Sequence, residues 1–247
     1  MNGRYTLPSE DTPPLDLRVQ PGYQAIVDYV RREMTLGRIR AGDRLPPERK
    51  LAEQFGVARE TLRQALKVLE SSGQVVIHRG AHGGAVVQPI ISDPAAIKQD
   101  IRHRAHDILE LLEFRSITES AAAELAAERR TVENLRSMDD AQRDLESATT
   151  TQNSRLADTS FHLAVAAAAQ NAKLLLSIED ARVHMFSPVD FLSFQFAKQS
   201  SYDAHGRILD AIRAKDASAA KLAMVEHLAT TQIEFESLLD ETQPEQP

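Results

Sequence analysis

The sequence predicts a mainly α protein in two parts: three helices and a β-hairpin at the N-terminal end, then an all-α antiparallel bundle of six or seven helices. Three observations predict this. Apolar residues recur at three- and four-residue spacing through most of the 247 residues. The clear β-prone runs, Val75-Val76-Ile77 and Ala85-Val86-Val87, flank one glycine-rich stretch, Gly80-Ala81-His82-Gly83-Gly84. Charge is also split along the chain: residues 18–88 hold 12 Lys/Arg against 7 Asp/Glu, while the formal net charge is −7. A basic binding module beside an acidic domain with another task has this asymmetry.

Residues 1–20, with Pro8, Pro13, Pro14 and little periodicity, read as a flexible tail. Between Tyr23 and Leu36, Ile26, Val27, Val30 and Met34 recur at helical spacing, and Gly37 suits a C-cap. After the Ala41-Gly42-Asp43 turn, Pro46 and Pro47 favour a second helix start; it runs to about Phe55, and Gly56 breaks it. A third helix spans about Arg59 to Ser71, with Leu62, Ala65, Leu66 and Leu69 as its buried stripe, and Gly73 ends it. Residues 21–88 thus form the first domain, 89–94 with its prolines a linker, 95–240 a helical domain and 241–247 a tail.

Within the helical domain, helices are expected over Ala95–His103, Ala105–Glu128, Val132–Thr149, Asn153–Ala169, Ala172–Phe186, Gln199–Ala214 and Ala217–Leu239. The segment Phe186 to Phe196, with Pro188 and four phenylalanines, receives no role. Cysteine is absent, which excludes disulfides, thiolate zinc sites and cysteine nucleophiles, and is compatible with a reduced cytoplasm. No apolar run approaches the roughly 18 residues of a membrane span, and no signal-peptide pattern is present, so a cytoplasmic location is expected.

Leu45 to Val87, "LPPERKLAEQFGVARETLRQALKVLESSGQVVIHRGAHGGAVV", reads as a helix-turn-helix followed by a hairpin wing. In that geometry the third helix enters the DNA major groove. Its first turns carry Arg59, Glu60, Thr61 and Arg63, and an arginine there can donate two hydrogen bonds to a guanine edge or pair with phosphate. Arg49, near the start of the second helix, is placed for phosphate, and Arg79 and Gly80 at the wing for the adjoining groove. The competing reading is a helical hairpin packed on another subunit, with the arginines merely solvated.

The same run resembles the winged helix-turn-helix of bacterial GntR-family transcription regulators: "LPPER", "LRQAL..LE..G" and "R.G..GG" occur together and in order. The resemblance implies operator contacts by Arg49, Arg59, Thr61, Arg63, Arg79 and Gly80. Ala58 and Glu60 depart from it, standing where small hydroxyl residues or proline are frequent.

In the helical half, Asp158 and His162 are four apart and share a helix face, while His205 and His227 lie on later helices. One carboxylate and three imidazoles converging in a bundle core suit a divalent transition metal such as zinc, nickel or manganese. Ordinary surface or hydrogen-bonded histidines are the alternative. His78, His82, His103, His106 and His184 receive that plainer reading. The run "DTSFHLAVAAAAQN", then "DAHGRILDAI" and "AMVEHL", resembles the ligand-binding FCD domain of the FadR subfamily of GntR regulators. That resemblance implies Asp158, His162, His205 and His227 as metal ligands, zinc foremost, and Arg115 and Asn171 as effector-binding residues. Gln170 replaces the glycine usual before that asparagine. For Arg115 the alternative is an exposed i,i+4 pair with Glu119.

Together these readings imply a homodimeric repressor, not an enzyme, that binds palindromic double-stranded operator DNA and responds to a small carboxylate at the metal. A metalloenzyme whose site activates water, or a purely structural metal, are the alternatives.

Overall fold

A computed structural model describes residues 22–78, 84–89, 103–185 and 194–242. The chain divides into two compact units, residues 1–91 and 92–247. The expected tail at 1–20, all but the first two residues of the expected tail at 241–247, Arg79 and Gly80 of the wing, most of the linker, all but the last residue of Ala95–His103 and most of the Phe-rich segment lie outside the described residues.

The first unit contains α1 (Gly22–Thr35), α2 (Glu48–Phe55), α3 (Arg59–Ser71), β1 (Val75–His78) and β2 (Gly84–Val87). Its core is the set of stripes that the periodicity indicates: Ile26, Val27, Val30 and Met34 from α1, Leu51 and Ala52 from α2, and Leu62, Ala65, Leu66 and Leu69 from α3. Each fully buried Leu, Ile or Val contributes about 1.5–3 kcal/mol. Gly56 ends α2 at φ 65°, a left-handed backbone that disfavours residues with a Cβ, and this sharp turn swings α3 across α2. β1 and β2 pair antiparallel, Val75 opposite Val87, with Val75, Ala85 and Val87 facing the core. The segment before α2, read from sequence as a turn, also joins this sheet. Arg44 bridges Val86, and the Leu45 amide donates to the Ala85 carbonyl at 2.8 Å.

The second unit contains α4 (Ala105–Arg129), α5 (Val132–Ser147), α6 (Thr151–Ala168), α7 (Ala172–Met185), α8 (Phe194–Ala214) and α9 (Ala217–Thr242). Helix α4 packs on α6, α7, α8 and α9, so its buried face is the centre of the bundle. The C-terminal half of that face carries Ala122, Ala123, Ala126 and Ala127, and the last three let neighbouring helices approach closely around Phe161, Val165, Ile208, Ile212 and Met224. Several boundaries differ from expectation by one to five residues, and α9 continues to Thr242, past the expected Leu239. Helix α5 stops at Ser147 because Thr150 caps α6, its hydroxyl accepting from the Asn153 amide at 3.2 Å. Helix α8 begins at Phe194, five residues before the expected Gln199. Between α6 and α7, Gln170 takes φ 50°, and its Nε2 donates to the Arg129 carbonyl at 2.6 Å while Arg129 donates to the Ala169 carbonyl. These hydrogen bonds offset the cost of a non-glycine residue in that conformation. No described helix is long and apolar enough to cross a membrane.

Candidate functional site

The four residues expected as metal ligands meet in the second unit. Asp158 and His162 come from one face of α6, His205 from α8 and His227 from α9, and their ligand atoms all lie within 4.8 Å of one another. The Nε2 of His162 is 3.3 Å from that of His205 and 3.2 Å from that of His227. Asp158 Oδ1 is 3.4 Å from His205 Nε2 and 3.8 Å from His162 Nε2. The three imidazoles are buried.

These spacings fit a bound cation. Nitrogens bound to one ion at roughly 2.0–2.1 Å stand about 2.9–3.4 Å apart at octahedral or tetrahedral angles. The protonation states agree. Burial, reinforced by the neighbouring imidazoles, pushes His205 well below its ordinary value and His227 down to about 3; burial also lowers His162. All three are therefore neutral near pH 7, the form whose lone pair binds a metal. Burial opposes ionisation of Asp158, but the Arg182 guanidinium beside it outweighs that and holds the carboxyl below the usual carboxylate range. A site of three neutral imidazoles and one carboxylate suits a divalent transition metal.

The surroundings of the four ligands hold residues that sequence reasoning missed. Arg182 of α7, buried, donates from Nη2 to Asp158 Oδ2 and, at 3.3 Å, to Thr159 Oγ1. Phe161 stacks on His205 with centroids 4.0 Å apart and planes 7° from parallel. Glu119 presents Oε2 to His162 Nδ1 and accepts from Arg115 Nε on Oε1 at 2.6 Å. The i,i+4 partnership of Arg115 and Glu119 is therefore present, but inside the bundle and not on its surface, with Arg115 at 3% and Glu119 at 1% exposure. No local signal marks Arg182, which reaches Asp158 across 24 positions.

Asn171 stands apart in character. It is exposed, and its Oδ1 accepts from the amides of Lys173 and Leu174, which caps the start of α7.

In the first unit, α3 presents Arg59 and Arg63 on the exposed side opposite its buried stripe. Both converge on Glu48 of α2: Arg63 Nε donates to Glu48 Oε2 at 2.9 Å, and Arg59 Nη2 lies 3.8 Å from the same oxygen. Thr61 is half-buried between them, and Arg49, exposed, pairs loosely with Glu53 at 3.4 Å. The arrangement offers guanidinium groups at the N-terminal end of α3, on its exposed side.

This combination of a winged helix-turn-helix and an all-helical domain defines a class of transcription regulator, and the chain belongs to the bacterial GntR family. Residues 22–86 match the family model described as "Bacterial regulatory proteins, gntR family", and residues 110–230 match the FCD domain. The Uxu operon transcriptional regulator of Escherichia coli (strain K12) is 33% identical over 240 residues, covering 90% of each chain. The Uxu operon regulator of Haemophilus influenzae is 30% identical over 235 residues, 90% of this chain and 85% of that one. Among solved structures, E. coli McbR/YncC matches with a TM-score of 0.52 at 19% identity, over 89% of this chain and 99% of that chain, a likeness of fold. The chain is thus a DNA-binding transcription regulator, and the metalloenzyme alternative is set aside because the family and these relatives are regulators.

Proposed function

We propose that this regulator is a homodimeric repressor of a palindromic operator, and that a small carboxylate bound at a divalent metal in the second unit changes its hold on DNA. The observation that carries the reading is the convergence of Asp158 with the buried His162, His205 and His227 beside a buried arginine, Arg115. The four ligands would hold the ion, zinc foremost, and the ion would supply a Lewis-acidic contact for a carboxylate oxygen. An incoming carboxylate would share the Arg115 guanidinium with Glu119, because a guanidinium offers five N–H donors.

A second copy of the chain is supported by an apolar face on two helices that pack together. Phe114 and Ile117 of α4 and Leu222, Val225 and Ile233 of α9 are exposed large hydrophobics. Covering such a face removes apolar surface from water. A dimer presents two copies of α3, hence a palindromic site. Arg49, Arg59, Thr61 and Arg63 form the DNA-facing set, with Arg79 and Gly80 of the wing.

The test joins the two ends. Elemental analysis of the full-length chain should find about one divalent metal per protomer, lost in His205→Ala and His227→Ala; full retention in both removes the ligand assignment. Arg63→Ala should weaken binding to an operator fragment selected by the wild type from random DNA by roughly 10-fold or more, within the about 1–3 kcal/mol of a bidentate base contact. Binding should also fall steeply with salt. Undiminished binding by Arg63→Ala removes that residue from the interface.

A further inference from the structure

We propose that Glu119 is a positioning residue for the metal ligand His162, and that Arg115 acts on the metal site through it. The inference rests on the metal reading above and extends it to two residues that touch no metal. An imidazole has two nitrogens, and its proton must leave the one that faces a cation. Glu119 Oε2 lies against His162 Nδ1, so a carboxylate acceptor draws the proton to Nδ1 and leaves the Nε2 lone pair toward His205, His227 and Asp158. Carboxylates that hold a ligand histidine in this way orient the ring and raise its basicity.

A carboxylate buried at 1% exposure requires its own partner, and Arg115, one helical turn before it on α4, donates to its other oxygen at 2.6 Å. Helix α4 therefore contributes no ligand atom, yet it sets the geometry of a ligand on α6 by a chain of contacts, Arg115 to Glu119 to His162. All three members are buried. A salt bridge that only tied α4 into the bundle would stabilise the fold without regard to metal. The contact with Nδ1 makes a different demand: loss of Glu119 must be felt by metal through His162 in particular.

Zn2+ alone, titrated into the full-length metal-free chain against a chromophoric chelator, provides the probe. Glu119→Gln should weaken Zn2+ binding by about 10- to 100-fold. His162→Ala should weaken it at least as much. The double variant should match His162→Ala within about 2-fold, because Glu119 has nothing left to orient. Multiplying losses in the double variant, or Glu119→Gln binding within 2-fold of wild type, would overturn the proposal. A second measurement does not depend on the Glu119→Gln variant folding. In the metal-free wild type, the 15N spectrum of the histidine rings, assigned by loss of one signal in His162→Ala, should show His162 protonated on Nδ1; protonation on Nε2 also overturns it. A wild type that takes no Zn2+ defeats the metal reading itself and this proposal with it. A wild type that binds while Glu119→Gln is indifferent defeats the positioning role alone.

Discussion

Acid should destabilise the metal-free second unit well before its carboxylates titrate. Unfolded, His162, His205 and His227 take up protons near pH 6.5. Folded, burial and mutual proximity lower all three, His205 strongly and His227 to about 3. Between these limits the unfolded chain binds more protons than the folded one, so stability falls as pH falls, by about 1.4 kcal/mol per pH unit for each such group. His227, with its folded value at about 3, alone gives about 1.4 kcal/mol per unit, and from pH 6.5 to 4.5 about 2–3 kcal/mol, with His205 acting in the same direction. That loss is about half the low end of the whole stability of a typical domain. Asp158 and Glu119 also have lowered folded values, but their share is present above the unfolded carboxyl range and disappears only below about pH 4. The window between pH 6.5 and 4.5 therefore belongs to the histidines. Urea unfolding followed by far-ultraviolet circular dichroism, in chelator and at half-unit steps of pH from 7.5 to 4.5, would measure the slope. Added Zn2+ should raise the midpoint at pH 7.5, with the gain disappearing as protons compete for the same nitrogens. Stability of the metal-free chain that changes by less than about 1 kcal/mol across the window would mean that the folded cluster accepts protons as readily as the unfolded chain. The desolvation argument would then be wrong.

Two further outcomes follow from single side chains. Ala58 stands at the N-cap just before α3, where its extended backbone has the geometry of a cap but its methyl cannot accept a hydrogen bond, so Ala58→Ser should stabilise the first unit by about 1 kcal/mol; an unchanged urea midpoint would show that the first amides of α3 are already satisfied. Phe161 is fully buried and stacked on His205, so Phe161→Ala should cost about 3–5 kcal/mol in urea unfolding and loosen Zn2+ binding as well, whereas loss of stability with wild-type affinity would make Phe161 simple core filling.

Much of the architecture could be read locally. The stripe Leu62, Ala65, Leu66 and Leu69 is buried as its spacing requires, because a helix repeats every 3.6 residues whatever surrounds it. Asp158 and His162 share a face for the same reason. Local spacing also paired Arg115 with Glu119, but it could not say whether the pair meets water or the core. Helix α4 has almost no preferred apolar side, so burial there is set by neighbours on several sides and not by pattern. Asn171, implied as an effector contact by resemblance, caps the start of α7 through its Oδ1.

Taken alone, the sequence determined the order and type of the elements, the arginines on one side of α3 and the Asp158–His162 pair, since each depends on residue chemistry and on spacings of three or four; the resemblance added His205 and His227. Only the tertiary structure decided that His162 meets His227 across 65 positions, that Arg182 holds Asp158 across 24, and that Glu119 stands behind His162. Such contacts arise where helices distant in the chain cross, and the crossing is set by how alanine-rich faces pack together, which no single stretch of sequence encodes.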